Sequence, residues 1–247
     1  MEPYLYAGNN PIMFTDPTGM HKETELFNID GKKIGEDANG NDGNVSIIKD
    51  KDKAKEIEKN YKKGGIASQS DVNSGVLTTK QELQESLNVI DRTEKNGGFR
   101  EESSIIGSSG QVYVGETGTM PTFSKGNDGN LIMTAETNLP ILPSTETGGV
   151  SIHSHQTSLL VHNDQPFPLS ASSPTSNGTD NNTWTNNGFN RNIIVGRLGV
   201  GTANNIYRDS NKKWKDGRSL GAAIYIGSQS RTPAVELKVK AIKAILK

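Results

Sequence analysis

Between Gly148 and His155 the chain reads Gly-Gly-Val-Ser-Ile-His-Ser-His, and its two-residue alternation constrains the fold more than any other stretch. An extended strand sends successive side chains to opposite faces. Val150, Ile152 and Ser154 therefore share one face, and Ser151, His153 and His155 the other. Side chains two apart on such a face stand roughly 6–7 Å apart, so two imidazoles can approach one divalent metal from the same side. Histidine is the commonest neutral nitrogen ligand of zinc. The same pattern also suits two polar residues on the wet face of an edge strand, and the rest of the chain has to decide between the two.

Composition narrows the chemistry. The 247 residues include no cysteine, which removes disulfides, thiol nucleophiles and cysteine-ligated zinc; a metal would have to be held by His, Asp and Glu. The formal net charge of −1 lacks the basic excess of a bulk nucleic-acid binder. At 32% hydrophobic residues, the chain is expected to carry much loop beside its packed core. No apolar run approaches the roughly 20 residues of a membrane span, and the first residues lack the apolar segment of a signal peptide.

Turn dipeptides break up residues 21–50: Asp30-Gly31, Asn39-Gly40 and Asp42-Gly43 separate short strand candidates at Leu26–Ile29 and Val45–Ile48. Asp37, Asn39 and Asn41 lack the spacing and closing Glu of a calcium loop and read as turns. A charged helix over 50–63 carries a thin stripe of Ala54, Ile57 and Tyr61. The helix over 80–95 is better marked. Thr79 and Glu82 form a capping box, Leu83, Leu87 and Ile90 make a buried stripe, and Gly97-Gly98 ends it. Glu94 falls on the continuation of that stripe, where a carboxylate needs a partner or a function.

Downstream, Ile105-Ile106 and Gln111–Val114 form a hairpin pattern, and Leu131–Thr134 is a further strand ahead of the histidine strand. A long polar loop then holds His162, Asp164, the serines 170–176 and Asp180, followed by a short helix near Asn182–Asn187 and a strand at Asn192–Gly196. Asp180 sits where a loop enters a helix, a normal N-cap position that is also placed to supply a third oxygen ligand. In the last third, Ile206-Tyr207 and Ala222–Ile226 read as paired strands. A final helix capped by Thr232-Pro233 is expected to bury Val235, Val239, Ile242 and Leu246.

Two resemblances carry the functional expectation. Tyr4-Leu5-Tyr6-Ala7-Gly8-Asn9-Asn10-Pro11, with Asp16-Pro17-Thr18-Gly19 shortly after, closely resembles the end of the Rhs repeat-associated core. That resemblance implies that residues 1–20 close a β-cocoon, with Asp16, Pro17 and Gly19 in its autoprocessing motif, and that the chain beyond them is a variable toxin tip. Glu94, the His-Ser-His strand, and a serine and aspartate downstream resemble the JAMM metallopeptidases. More narrowly, roughly residues 76–247 are similar to the JAB-like toxins attached to Rhs proteins. The resemblance implies a Zn²⁺ cofactor on His153, His155 and Asp180, Glu94 as general acid and base, and Ser176 as the oxyanion-supporting hydroxyl. Glu101 and Glu102 are the reserve candidates for the base. The chain departs from the pattern at Gln156, where the family has Pro. The separation 180 − 155 = 25 is longer than the family's, and three residues lie between Ser176 and Asp180.

The expected fold is α/β, a JAB/MPN-like (cytidine-deaminase-like) mixed sheet flanked by helices. Residues 1–20 would be the end of the Rhs core, 21–75 a polar linker or N-terminal extension, and 76–247 the toxin domain. The expected function is that of a zinc-dependent peptidase or isopeptidase effector, secreted into a target cell in interbacterial competition. It would act on a protein or peptide and meet a cognate immunity protein, the Rhs shell and a secretion machine. The alternatives are a metal-dependent nuclease toxin and a degenerate metal-binding module that docks a partner.

Overall fold

The computed structural model describes residues 23–38, 41–146, 149–172, 188–226, 230 and 232–247. The chain divides into two compact units, one running to Lys80 and one over Gln81–Lys247. Both are mixed α/β, with more sheet than helix.

The first unit is a four-stranded sheet built from β1 (Glu23–Asn28), β2 (Lys33–Glu36), β3 (Asn41–Ile48) and β4 (Val76–Thr79), in the order β2-β1-β3-β4. β1 pairs antiparallel with β2 and parallel with β3. Two helices complete the unit, α1 (Lys51–Tyr61) and α2 (Gln69–Asn73). Asp50 caps α1 by accepting from the N–H groups of Asp52 and Lys53. Leu26, Ile34, Ile48, Ala54, Ile57, Ala67 and Val72 form its core. The stretch 21–75 is therefore more than a linker: from Glu23 it is a folded unit with its own buried cluster, and the unit boundary lies at Lys80.

The second unit is organised on a six-stranded sheet in the order β16-β15-β12-β9-β5-β6. These strands are β5 (Ser103–Ile106), β6 (Val112–Val114), β9 (Val150–Ser154), β12 (Arg191–Arg197), β15 (Leu220–Ile226) and β16 (Val235–Lys238). β9 runs parallel to β12 and antiparallel to β5. Three hairpins stand beside this sheet: β7 (Thr122–Lys125) with β8 (Leu131–Thr134), β10 (Leu160–His162) with β11 (Gln165–Phe167), and β13 (Ile206–Arg208) with β14 (Trp214–Asp216). Ile206-Tyr207 thus pairs with Trp214–Asp216 and not with Ala222–Ile226, and β15 pairs with β12 and β16 instead.

The helix α3 (Lys80–Lys95) covers one face of the sheet. Arg191 reaches Glu82, Arg92 reaches Ser104, and Thr93 reaches Ser154, so the contacts run the length of the helix. The expected C-terminal helix starts later than its cap signal. Val235 and Leu237 alternate into the core as strand β16, and only Val239–Ile245 is helical (α4). Among the described residues no helix is long and apolar enough to cross a membrane.

Candidate metal and proton-transfer site

The histidine strand is central to its sheet. All five residues of β9 are buried, which removes the reading of two histidines on a wet edge. Register assigns the faces. His153 lies opposite Ser103 on β5 and Ile194 on β12, and cross-strand partners share a face. Ser151, His153 and His155 therefore face away from α3, toward the cluster of Ile105, Ala171, Phe189, Ile194, Ala223 and Tyr225. Ser154 faces α3.

His153 and His155 are 4% and 1% exposed, and their ring centroids are 5.5 Å apart at 58°. Two imidazoles held by one tetrahedral zinc at ~2.0–2.1 Å would have centroids roughly 5 Å apart, a spacing close to that of this pair. The tautomer fits too. His155 Nδ1 lies 2.9 Å from the main-chain carbonyl of Ser170. A carbonyl only accepts, so Nδ1 carries the proton, and in the neutral ring the lone pair is then on Nε2, the arrangement of a metal-ligating histidine. Among the described residues no three His, Asp or Glu side chains come together as a metal-holding group. Asp180 and Ser176 lie outside the described residues, as do Asp16, Pro17 and Gly19.

Glu94 is not on the buried side of its helix; it is exposed. The buried side holds Leu83, Leu87 and Ile90 as expected, but also Glu82, Ser86 and Thr93, polar residues that a stripe of leucines does not reveal. At the helix end Gly98 N–H bonds Thr93 O at 2.8 Å and Gly97 N–H bonds Glu94 O at 3.1 Å, a Schellman turn with both glycines at positive φ. This turn does bring the chain to the histidine strand: Thr157 and Ser158 N–H both donate to Gly98 O at 3.0 Å. The helix nevertheless packs on the face opposite the imidazoles, so Glu94 is on the wrong side of the sheet.

The carboxylate on the right side is Glu101. The paired ladder ends at Ser103 opposite His153; carried two residues further, the same alternation would set Glu101 opposite His155, and Glu101 is 6% exposed. Its carboxylate accepts a hydrogen bond from Thr137 Oγ1, while Ser103 Oγ next to it donates to Asn138 O. Glu102 points the other way, toward α3, accepting from Asn96 and Thr117 at 2.8 Å each. Two-residue alternation through Glu101, Ser103 and Ile105 separates the two glutamates in the sequence. Which of them shares a face with the imidazoles emerges only once β5 is paired with β9.

Two other polar residues find a place. His162 stacks on Phe123 with centroids 4.5 Å apart, at the tip of the β10–β11 hairpin, which gives its ring a packing role. Gln156 is 3% exposed, and neither atom of its amide has a hydrogen-bond partner among the described residues; Thr157 Oγ1 is in the same position. No family model, curated protein or solved structure matches the chain.

Proposed function

We propose that the second unit is a zinc-dependent peptidase or isopeptidase domain of the JAB-like kind, the toxin tip of an Rhs-type effector delivered into a competing cell. The observation that carries this reading is the buried His153–His155 pair, 5.5 Å between ring centroids, with the Ser170 carbonyl holding the proton of His155 on Nδ1. His153 and His155 supply two nitrogen ligands and Asp180 is the proposed third. Zinc bound there supplies Lewis-acid polarisation of a substrate carbonyl and lowers the pKa of water to about 7.

The chain's own groups handle the proton. Glu101, on the imidazole face, takes the proton of the attacking water on its carboxylate as the water oxygen bonds the carbonyl carbon. It returns that proton to the leaving nitrogen as the C–N bond breaks. The Ser176 hydroxyl is the proposed donor to the oxyanion. Thr137 lies on the Glu101 carboxylate, so substrate entry requires that contact to be exchanged for one with the substrate.

Elemental analysis of the purified chain tests the reading. About one zinc per chain is expected, lost in His153→Ala and His155→Ala. Stoichiometric zinc in the double variant would place the metal elsewhere. Incubation with peptide, isopeptide and nucleic-acid substrates then identifies the bond cleaved. Cleavage of nucleic acid alone would replace the peptidase reading by a nuclease.

A further inference from the structure

Tyr225 is wholly buried among Ile105, Ala171, Phe189, Ile194 and Ala223, an environment in which phenylalanine would pack as well. A hydroxyl there is costly unless it is bonded. It donates to the main-chain oxygen of Ala171 at 2.8 Å. On the other side of the same residue, Ala171 N–H donates to Arg197 O at 2.9 Å. The C=O of Ser170 and the N–H of Ala171 belong to one planar trans peptide and point in opposite directions. With the N–H fixed on β12, the carbonyl must point away from β12, and there it meets His155 Nδ1 at 2.9 Å.

We propose that Tyr225 is a positioning residue for His155. The Arg197 carbonyl holds the Ser170–Ala171 peptide through the Ala171 N–H, and the Tyr225 hydroxyl holds the next peptide through the Ala171 carbonyl, so that together they fix Ala171 and keep the proton of His155 on Nδ1 and its lone pair on Nε2. Deleting the hydroxyl frees one side of Ala171 and lets the Ser170–Ala171 plane tilt. The Nδ1–H bond lengthens and the imidazole gains access to the other tautomer. Outer partners that orient a metal-bound histidine affect metal affinity by about 10–100-fold. The metal part of this inference rests on the zinc reading above; the tautomer part does not.

The test is Tyr225→Phe, which conserves ring volume and leaves the cluster filled. Nitrogen-15 NMR of the metal-free protein, above the imidazole pKa, reads the tautomer directly. Wild type is expected to hold His155 as Nδ1–H, and Tyr225→Phe to show a raised share of Nε2–H. Zinc competition is expected to show affinity about 10–100-fold weaker in Tyr225→Phe, with no further loss when the substitution is added to His155→Ala. An Nε2–H tautomer in wild type overturns the proposal even if the variant fails to fold. Unchanged tautomer and zinc affinity in a folded variant overturn it as well. A wild-type chain that takes up no zinc overturns the metal reading instead, and the tautomer comparison still decides the role of Tyr225.

Discussion

Ser154, the middle residue of His-Ser-His, is expected to stabilise the fold without touching the imidazole pair. Its Oγ accepts from the buried N–H of Glu102 at 2.8 Å and is bonded to the Thr93 hydroxyl at 2.7 Å. It thereby joins β5, β9 and α3 at one point. Ser154→Ala removes a single oxygen, so the cavity is negligible and the loss is polar. Thr93 keeps its bond to Val89 O at 2.9 Å, but the Glu102 N–H is left buried with its acceptor gone. A stranded buried donor costs about 1–3 kcal/mol. In a unit of 247 − 80 = 167 residues, each kcal/mol lowers Tm by about 2–4 °C, so a fall of about 2–12 °C is expected. Calorimetry gives the Tm, and amide exchange at Glu102 should accelerate in the variant. Zinc uptake should be unchanged, because Ser154 faces α3 and the imidazoles face the other way. A Tm within about 1 °C of wild type would refute the polar-junction argument. Loss of zinc with an intact fold would refute the assignment of faces.

The remaining predictions concern the base, the glycine turn and the first unit. Glu101→Gln should keep zinc and fold while losing about 10²–10⁴-fold of activity, whereas Glu94→Gln should leave activity near wild type; the reverse result would return the role to Glu94. Gly98→Ala should lower stability by at least about 1–2 kcal/mol, measurable by urea unfolding. Gly98 has φ of +77°, and an added Cβ would lie 2.7 Å from Thr157 Oγ1 and closer still to Ser158 Oγ. In the first unit, burial pushes the Glu25 carboxyl up, but hydrogen bonds from Lys80 and Lys33 outweigh it and hold the group below the usual 4.5. Asp71 behaves likewise, with Lys53 and Ser68 opposing burial. Depressed carboxylates add stability above their ordinary values and lose it as pH falls through the lowered ones. Amide exchange at Val45 and Ile47 should therefore speed up, beyond its intrinsic change, between about pH 6 and about pH 3; flat protection across that range would contradict the ion-pair account.

Local pattern suffices where one element decides the outcome. The histidine strand alternates cleanly, and the helix Lys80–Lys95 shows its leucine stripe and its glycine stop. Local pattern fails where pairing decides. Val235 and Leu237 come after a strong helix-start signal, yet they form a strand because the free edge of β15 offers a ladder to Val235–Lys238. The leucine stripe misplaces Glu94 because the buried side of α3 is lined by Glu82, Ser86 and Thr93, which are satisfied by bonds to Arg191, the Glu82 carbonyl, Val89 and Ser154. A rule that looks for apolar residues has no view of such a face. Glu101 can be nominated from the sequence but not chosen over Glu102, since the choice depends on a register across some fifty residues, 153 − 103 = 50.

That separation has a kinetic consequence. Both ladder partners of β9 are distant in the chain: β5 lies 50 residues upstream of it, and β12 lies 191 − 150 = 41 residues downstream. Neither pairing can arise from a hairpin, and the parallel one needs a long crossover before its first bond forms. Closure of such loops is the slow part of folding for a sheet of this kind. The imidazole pair and the Ser170 carbonyl thus meet only when the last long-range ladders close. A chain still in extended form offers zinc two histidines on an unpaired strand and nothing to fix their tautomers. Refolding rates should then be insensitive to zinc, while unfolding of the loaded protein should slow in proportion to the metal's hold on the finished sheet.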